Sequence, residues 1–231
     1  MIDNLPEILE RRVSHFSLSG LDLVSVMDEP LEEPVNRLMK RVMDIITSGL
    51  VVSLVLPPLA LLVAIFQRCQ SPGPLFFYQT RSGRSGKPFR IIKFRTMFPT
   101  NKSLARQATR NDGRVYDFGR WLRKTSLDEI PQFLNVLRGE MSVVGPRPHM
   151  IVHNRRFEEK MTFYRVRAFI KPGITGIAQV SGYRGEARTD SEILERVKLD
   201  IAYVENWSLW QDFVIVFKTF LQVVKPHQTA Y

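Results

Sequence analysis

A stretch without any charged side chain, residues 45–66, places the first limit on how this 231-residue chain can fold. At about 1.5 Å per residue, a straight helix of that length crosses a hydrocarbon core of about 30 Å. The stretch lies far from Met1 and lacks the small-residue cleavage site of a signal peptide, and it is long for a buried core helix. The sequence therefore predicts a membrane segment over residues 37–68.

Two prolines, Pro57 and Pro58, interrupt this apolar stretch near its middle. A proline inside a helix removes a backbone hydrogen bond and clashes with the preceding turn, so we predict a bend there. Basic residues flank both ends, and positive charge is usually retained on the cytoplasmic side of a membrane. A straight span and a re-entrant helix both remain open. The flanking charges favour the re-entrant helix, which would leave the remainder of the chain cytoplasmic, beside the lipid head groups.

The charge balance indicates an anionic partner. Lys and Arg number 33 against 23 Asp and Glu, which gives a formal charge of +10. Nucleic acid, anionic lipid and a phosphorylated substrate would each satisfy such an excess. A membrane-anchored nucleic-acid-binding protein rests on this charge alone, because no helix-turn-helix, zinc-finger or RNA-binding signature occurs. A single cysteine, Cys69, excludes an intramolecular disulfide and a Cys-rich zinc site.

The residues outside the membrane segment predict an α+β fold that is mainly helical. Residues 1–36 are predicted as a loose polar leader that ends in a short helix, and residues 69–231 as one cytoplasmic catalytic domain. Short strands at 75–78 and 89–94 flank turn-forming residues and indicate a hairpin. Helical patterns follow at about 116–124, 129–138, 154–168, 190–206 and 208–224.

The last of these helices carries an apolar stripe with spacings of three and four residues. Its members are Trp207, Trp210, Phe213, Val214, Phe217, Phe220, Leu221 and Val224. Such a stripe either packs into a core or lies in the membrane interface, where tryptophan is common. The sequence leaves both interpretations open, and the expected architecture includes interfacial amphipathic helices.

Adjacent carboxylates, Asp128 and Glu129, stand at a predicted helix start. Ser126 and Glu129 have the spacing of a capping box, whereas Pro131 favours a helix whose N-cap is Asp128. In both registers Asp128 lies at the amino end, where unpaired N–H groups and the helix dipole favour anions. Taken alone, this pattern is more often a helix cap than a catalytic group.

A second short motif, Gly145-Pro146-Arg147-Pro148, follows the same predicted helix. The flanking prolines restrict the backbone of Arg147, and a guanidinium fork suits bidentate contact with phosphate. By itself the motif is weak.

Together these blocks resemble the bacterial sugar transferases, which are monotopic phosphoglycosyl transferases. The matching blocks are Lys40-Arg41 before a proline-broken membrane segment, Ser71-Pro72-Gly73-Pro74, residues 93–97, residues 125–132, residues 145–148 and residues 171–176. The resemblance runs from about Lys40 to the C-terminus. It implies a re-entrant membrane helix and a Mg²⁺-dependent active site on the cytoplasmic face of a bacterial inner membrane.

The resemblance also implies residue roles. Asp128 would be the nucleophile that attacks the sugar-side phosphorus of a UDP-sugar, and a ligand of Mg²⁺, while Glu129 would position or assist it. Further implied substrate-binding positions are Arg147, Arg123, Lys93, Arg95 and Asp200. Attraction to lipid head groups is the other explanation for Lys93 and Arg123, and a salt bridge with a nearby arginine is the other explanation for Asp200.

The C-terminal third indicates the donor sugar. Residues 178–186 and 200–208 are similar to family members that transfer glucose-1-phosphate from UDP-glucose to undecaprenyl phosphate and begin exopolysaccharide or capsule synthesis. Close relatives use galactose or N-acetylated amino sugars, and glucose-type members are often much longer than this chain. The expected partners are a UDP-sugar, undecaprenyl phosphate and membrane lipids, without nucleic acid; a homo-oligomer is compatible with the sequence. A catalytically silent scaffold of the same fold is the alternative, against which the intact Asp128-Glu129 pair and Arg147 argue.

Overall fold

The computed structural model describes residues 13–18, 21–26, 29–99, 112–148, 162–183, 185 and 189–224. Near the amino end, the strands β1 (Val13–Leu18) and β2 (Leu21–Val26) pair antiparallel. The predicted loose leader therefore contains a hairpin, which alternation of apolar and polar residues explains. A 3-10 turn at Pro30–Glu32 precedes the long helix.

One helix of 37 residues, Pro34–Gln70, contains the apolar stretch and is long and apolar enough to cross a membrane. It consists of α1 (Pro34–Leu50), a π-helical turn (Val51–Val55) and α2 (Leu56–Gln70). The two prolines follow the π turn directly. Because proline has no N–H to donate, the preceding turn cannot keep its usual hydrogen bonds, and the wider turn absorbs this irregularity.

Both halves of this long helix pack on the same domain. Met43 of α1 joins a core around Val136 and Val144. Leu59 and Val63 of α2 belong to a second core, which also contains Phe94 and Leu122. On the other side large apolar side chains are exposed: Val35, Leu38, Met39, Val42, Ile45, Ile46, Leu50, Leu54, Val55, Leu61, Leu62, Ile65 and Phe66. The helix thus has one packed side and one exposed apolar side along its length.

Beyond the long helix, the predicted hairpin is confirmed. The strands β3 (Phe76–Ser82) and β4 (Pro88–Phe94) pair antiparallel from Phe76↔Phe94 to Ser82↔Pro88. A short bridge joins Met97 to Val115. The hairpin ends beside the start of the helical region and carries Lys93 on its second strand.

The helical predictions are confirmed in part. The helices α3 (Asp117–Thr125), α6 (Asp190–Glu205) and α7 (Leu209–Val224) match their patterns within a residue or two. The 129–138 pattern is a 3-10 turn (Leu127–Gln132) followed by α4 (Phe133–Leu137), because Pro131 interrupts regular α-helical bonding. Within the 154–168 pattern, Thr162–Ala168 is 3-10 helix and residues 154–161 lie outside the described residues. The strands β5 (Ser142–Val144) and β6 (Gly173–Thr175) pair in parallel, and α5 (Ile177–Val180) follows β6.

A buried polar network joins the long helix to the last two helices. Lys40 donates to Asp212 over 2.7 Å and to the Tyr203 hydroxyl over 3.0 Å. Tyr203 and the Trp207 indole N–H in turn donate to Asp212 over 2.6 and 3.1 Å. A charge buried without partners costs several kcal/mol, and these bonds satisfy both members of the ion pair.

The apolar stripe of α7 is divided between two environments. Trp207, just before the helix, and Ile215 within it are buried in the main core. Exposed members of the stripe are Trp210, Phe213, Phe217, Phe220 and Leu221, with Trp210 75% exposed. The core interpretation therefore holds for one face of the helix, and the other face is available to an apolar environment.

Candidate active site

The segment that carries the carboxylate pair begins with a sharp change of direction. Ser126 has φ +59° and ends α3, and the 3-10 turn begins directly after it. Its side chain makes no capping bond to the described residues, so the predicted capping box is wrong. The carboxylate that would have completed the box, Glu129, contacts basic side chains instead. The N-cap is Ser126, so the predicted register with Asp128 as N-cap is also wrong, although Asp128 does lie at the amino end, as both registers predicted.

Glu129 is the centre of the site's ion pairs. Its Oε1 accepts from Lys93 Nζ over 2.6 Å and from Arg147 Nη2 over 3.0 Å, and the residue is 8% exposed. One carboxylate thereby holds the β4 strand and the Gly-Pro-Arg-Pro loop on the turn of the pair. Four of the predicted site residues, those three and Asp128, are brought together in this way.

Asp128 lies among competing electrostatic influences. Together these influences raise the pKa of its carboxyl to about 6: burial is the largest cause and the neighbouring Glu129 also raises the pKa, whereas Lys93, Arg123 and Arg147 lower it. Part of its surface stays open while protein atoms surround the remainder. The result is a carboxylate that is mainly ionised at neutral pH but poorly hydrated, which suits an anionic nucleophile.

Arg123 is held in place by a side-chain hydrogen bond and by the close packing of α3 against Thr96. Its Nε donates to Thr96 Oγ1 over 2.9 Å. Gly119, one turn earlier, lets the helix approach so closely that a Cβ there would collide with the Thr96 carbonyl. The close packing therefore keeps the guanidinium within electrostatic reach of Asp128.

Asp200 contributes through an intermediary. It pairs with Arg167, whose Nε and Nη2 lie 2.8 and 2.7 Å from Asp200 Oδ2. Arg167 Nη2 also donates to the Arg147 carbonyl over 3.0 Å. Burial raises the pKa of Asp200, and Arg167 and Arg196 lower it. The salt-bridge explanation thus describes its contacts, and through them Asp200 helps to fix the backbone that presents Arg147.

Glycines lock the Arg147 loop to the Lys171–Gly176 segment. Gly145 N–H donates to the Thr175 carbonyl, and Gly173 N–H donates to the Pro146 carbonyl, both over 2.9 Å. A Cβ at Gly173 would collide with the backbone of Gly145. The two glycine-containing motifs are therefore halves of one support.

Gly173→Ala should force these two backbones apart and displace Arg147. We expect a loss of about 1–3 kcal/mol in the free energy of unfolding, the usual cost of overpacking, and at least about a tenfold fall in donor kcat/KM. Thermal unfolding and steady-state kinetics measure the two effects. The control is Gly113→Ala, where a Cβ meets open space. Equal behaviour of the two variants would contradict this account of the support.

Arg95 is placed differently from the other predicted residues. Its guanidinium donates to the Pro74 and Met97 carbonyls over 2.7 and 2.9 Å, and to Ser71 Oγ and carbonyl, each over 2.6 Å. It is 6% exposed. These contacts fix the turn that leads out of the long helix, and they do not bring Arg95 to the carboxylate pair. Its role in substrate binding stays a prediction.

Two arginines that the sequence did not single out act on the site. The positive charge of Arg147 contributes to a lower pKa for both Arg81 of β3 and Arg196 of α6. Arg81 follows strand residues in a basic hairpin, which was a weak signal. Arg196 carried none, because an arginine on a helical pattern resembles any solvated surface residue.

The residues at the site fit a magnesium ion shared with a substrate. Within the described ranges, no group of three or more His, Cys, Asp or Glu side chains could hold a metal by itself. Mg²⁺ is usually held by one or two carboxylates together with substrate phosphates and water. Asp128 supplies one such carboxylate, whereas one oxygen of Glu129 is already bonded to two cations.

The turn that carries the carboxylate pair packs into the same core as the long helix. Leu127 and Ile130, which flank the pair, and Leu134 pack against the core formed by Leu59 and Val63 of α2. This core also includes Leu56, Phe94 and Leu122. The turn that carries the carboxylate pair and the candidate membrane segment therefore belong to one apolar core.

Comparison with known proteins agrees with this arrangement. The sequence model of the bacterial sugar transferase family matches residues 35–226, and the chain belongs to that family. It is 44% identical over 219 residues to a UDP-glucose:undecaprenyl-phosphate glucose-1-phosphate transferase of Escherichia coli (strain K12), covering 93% of this chain and 47% of the relative. A protein of the same name from Caulobacter vibrioides is 45% identical, with 82% of this chain and 71% of the relative covered.

A third relative bears on the donor sugar. A UDP-N-acetylgalactosamine-undecaprenyl-phosphate N-acetylgalactosaminephosphotransferase of Aeromonas hydrophila is 40% identical over 220 residues, covering 94% of this chain and 50% of the relative. The chain thus spans about half the length of several curated relatives that it matches. Relatives that carry the names of different sugars share the matched region.

Proposed function

We propose that this chain transfers glucose-1-phosphate from UDP-glucose to undecaprenyl phosphate, giving undecaprenyl-diphosphate-glucose and UMP. The observation that carries the proposal is Asp128, a poorly hydrated carboxylate among the charges of Lys93, Arg123 and Arg147, in a turn that packs into the same core as the long helix. The names of the relatives at 44–45% identity support glucose as the sugar. From the resemblance of residues 178–186 and 200–208 to glucose-type family members, the reaction would be the first membrane step of exopolysaccharide or capsule synthesis.

In the first half-reaction, an oxygen of Asp128 attacks the sugar-side phosphorus of UDP-glucose. The bond from this phosphorus to the bridging oxygen breaks, and UMP leaves with the electron pair. A glucosyl phosphate remains bound to the Asp128 carboxyl as an acyl phosphate. Arg147 and Lys93 neutralise charge on the phosphate oxygens during the displacement, which is how enzymes stabilise phosphoryl transfer.

In the second half-reaction, a phosphate oxygen of undecaprenyl phosphate attacks the same phosphorus. The bond to Asp128 breaks, and the carboxylate is restored. Glu129 keeps Lys93 and Arg147 in position through both displacements. When bound, Mg²⁺ would be held by Asp128 and the donor's diphosphate and would lower the charge that opposes an anionic nucleophile.

The proposed location is the cytoplasmic face of a bacterial inner membrane, with the long helix re-entrant. Arg41, near the beginning of the helix, donates to the Val136 carbonyl over 2.7 Å. Gln67, near its end, donates to the Arg95 carbonyl over 2.8 Å. Contacts of both ends with one domain support a helix that returns to the face it entered, because a straight span would carry one end to the opposite side. The exposed apolar face of α7 would lie in the same interface.

This topology predicts labelling from one side only. In a Cys69→Ser background, cysteines replace Arg37, in the first turn of the long helix, and Lys87, beyond its end; both positions are exposed. A membrane-impermeant maleimide should label both positions in inverted vesicles and neither in right-side-out vesicles. Labelling of the two positions from opposite faces would establish a span and end the re-entrant proposal.

The function itself is tested with the full chain in lipid nanodiscs. The protein is incubated with radiolabelled UDP-glucose, undecaprenyl phosphate and Mg²⁺, and we expect UMP release together with a labelled lipid product. UDP-galactose and UDP-N-acetylgalactosamine, supplied in parallel, should give at least about tenfold lower kcat/KM. If none of the three donors gave a lipid product, the proposed activity would be refuted. If another donor were preferred, the assignment of glucose as the donor sugar would be refuted.

A further inference from the structure

Two arginines, the partly buried Arg81 and the buried Arg196, interact with Arg147 and have no part in the chemistry above. Arg81 lies near the end of β3, and Arg196 lies on α6 one turn before Asp200. Burial and then the charge of Arg147 lower the pKa of Arg81 to about 10, and the same two causes lower the pKa of Arg196. The geometry places both near Arg147. Arg196 lies one turn from Asp200, whose partner Arg167 donates to the Arg147 carbonyl. Arg81 lies on the same face of the hairpin as Lys93, which shares the Glu129 carboxylate with Arg147.

Both arginines keep a hydrogen-bond donor unused. The Nε of each is buried, and neither Nε has an acceptor among the residues that the structure describes. Arg196 is 7% exposed. To described residues, Arg81 donates to Gln79 over 2.6 Å and Arg196 donates to the Gly185 carbonyl over 3.2 Å. A buried charged donor without an acceptor is costly, so an acceptor from a ligand would stabilise this arrangement.

The charged side chains that interact with these arginines and with Asp128 include more cations than carboxylates. The interacting cations are Lys93, Arg81, Arg123, Arg147, Arg167 and Arg196, and the interacting carboxylates are Asp128, Glu129, Asp200 and Glu192. Six cations against four carboxylates leave two excess positive charges among these described side chains. A diphosphate ester with two negative charges would balance them.

We propose that Arg81 and Arg196 complete, with Arg147, a binding subsite for the diphosphate of the nucleotide-sugar donor. The inference rests on the proposed function and extends it to the leaving group. Guanidinium forks bind phosphate oxygens in pairs, and two phosphate groups in series can use several such forks. The acceptor offers one phosphate group, so the donor, with two, has more phosphate oxygens to occupy three guanidinium groups. Arg81 and Arg196 then stabilise the negative charge that develops on UMP as it leaves.

Direct binding tests this subsite without turnover. The full chain in nanodiscs is titrated calorimetrically with UMP and, separately, with inorganic pyrophosphate. Arg81→Gln and Arg196→Gln should each raise the Kd for both probes about tenfold or more, as expected for loss of a charge-assisted bond. Matched controls are Arg84→Gln in the same hairpin and Lys198→Gln on the same helix, which are both exposed and should keep the parent Kd.

Kinetics separate the donor from the acceptor. In the two test variants, the KM for UDP-glucose should rise about tenfold while the KM for undecaprenyl phosphate changes less than twofold. A rise confined to undecaprenyl phosphate would overturn the assignment to the donor. Unchanged Kd values for UMP and pyrophosphate in both variants would overturn the subsite itself.

Failure of the subsite can be told from failure of the proposed reaction. If the parent protein bound pyrophosphate through Arg81 and Arg196 but released no UMP from UDP-glucose, the subsite would stand and the reaction would fail. Should Arg196→Gln lose its thermal transition, Arg81→Gln still decides, because its side chain is only partly buried at a hairpin. Arg81→Lys, which retains the charge, should then give an intermediate Kd; parent-like binding by both Arg81 variants would refute the proposal.

Discussion

Asp128→Asn should abolish the release of UMP from UDP-glucose, lowering kcat by at least about 10³-fold. An amide is a far weaker nucleophile than a carboxylate, and loss of a covalent nucleophile is among the largest effects of a single substitution on an enzyme. The same change should leave the thermal transition of the protein equal or higher, because burial opposes the charged form of Asp128. Labelled UDP-glucose, followed for both UMP and protein-bound radioactivity, measures the effect.

The matched control for this experiment is Asp117→Asn. Asp117 lies on α3, its side chain is 87% exposed and it pairs with Arg120 at the surface. It should retain parental activity. Protein-bound label in the parent after donor alone, and none in Asp128→Asn, would support the two-step displacement. Full activity of Asp128→Asn would remove the nucleophile assignment, whatever the lipid product.

Lys40→Met should lower the free energy of unfolding by about 3 kcal/mol. The substitution leaves Asp212, which is fully buried, without its cationic partner, and breaking one half of a buried pair typically costs about 3–5 kcal/mol. For a chain of this size the apparent melting temperature should fall by about 6–12 °C. Thermal unfolding in one detergent, at fixed protein and detergent concentrations, provides the comparison.

Two further variants separate charge from packing. Lys218→Met, at an exposed position of α7, should melt with the parent. Lys40→Met combined with Asp212→Asn should recover part of the loss, because the second change removes the stranded charge. A Lys40→Met protein as stable as Lys218→Met would show that the buried network contributes little.

Structural features that depend on the local sequence alone could be predicted. The hairpin of β3 and β4 follows from alternation and turn residues, and α6 and α7 follow from their periodicity. The position of Asp128 at the amino end of a helical turn was also predictable, because both registers shared it, although the register that Pro131 favoured, with Asp128 as N-cap, is wrong. Resemblance to a family added the roles that no spacing could supply.

Features that depend on distant contacts were not predictable from pattern. Arg167 joins Asp200 to the Arg147 carbonyl across three separate parts of the chain. Arg196 differs from a surface arginine only because α6 is packed against its neighbours. The capping box failed for the same reason, since Lys93 and Arg147 compete for Glu129 and provide stronger, charge-assisted bonds than a backbone N–H.

The long helix also supports the turn that carries the carboxylate pair. Removing residues 34–70 would strip the apolar partners from Phe94 and Leu122 and uncover the back of the turn that carries Asp128, the proposed nucleophile. A foreign transmembrane helix could return such a fragment to a bilayer, yet it would lack the side chains that fill this surface. Exchange of the anchor should therefore inactivate the enzyme even when it restores attachment, and a water-soluble version would need a redesigned surface where the long helix now packs.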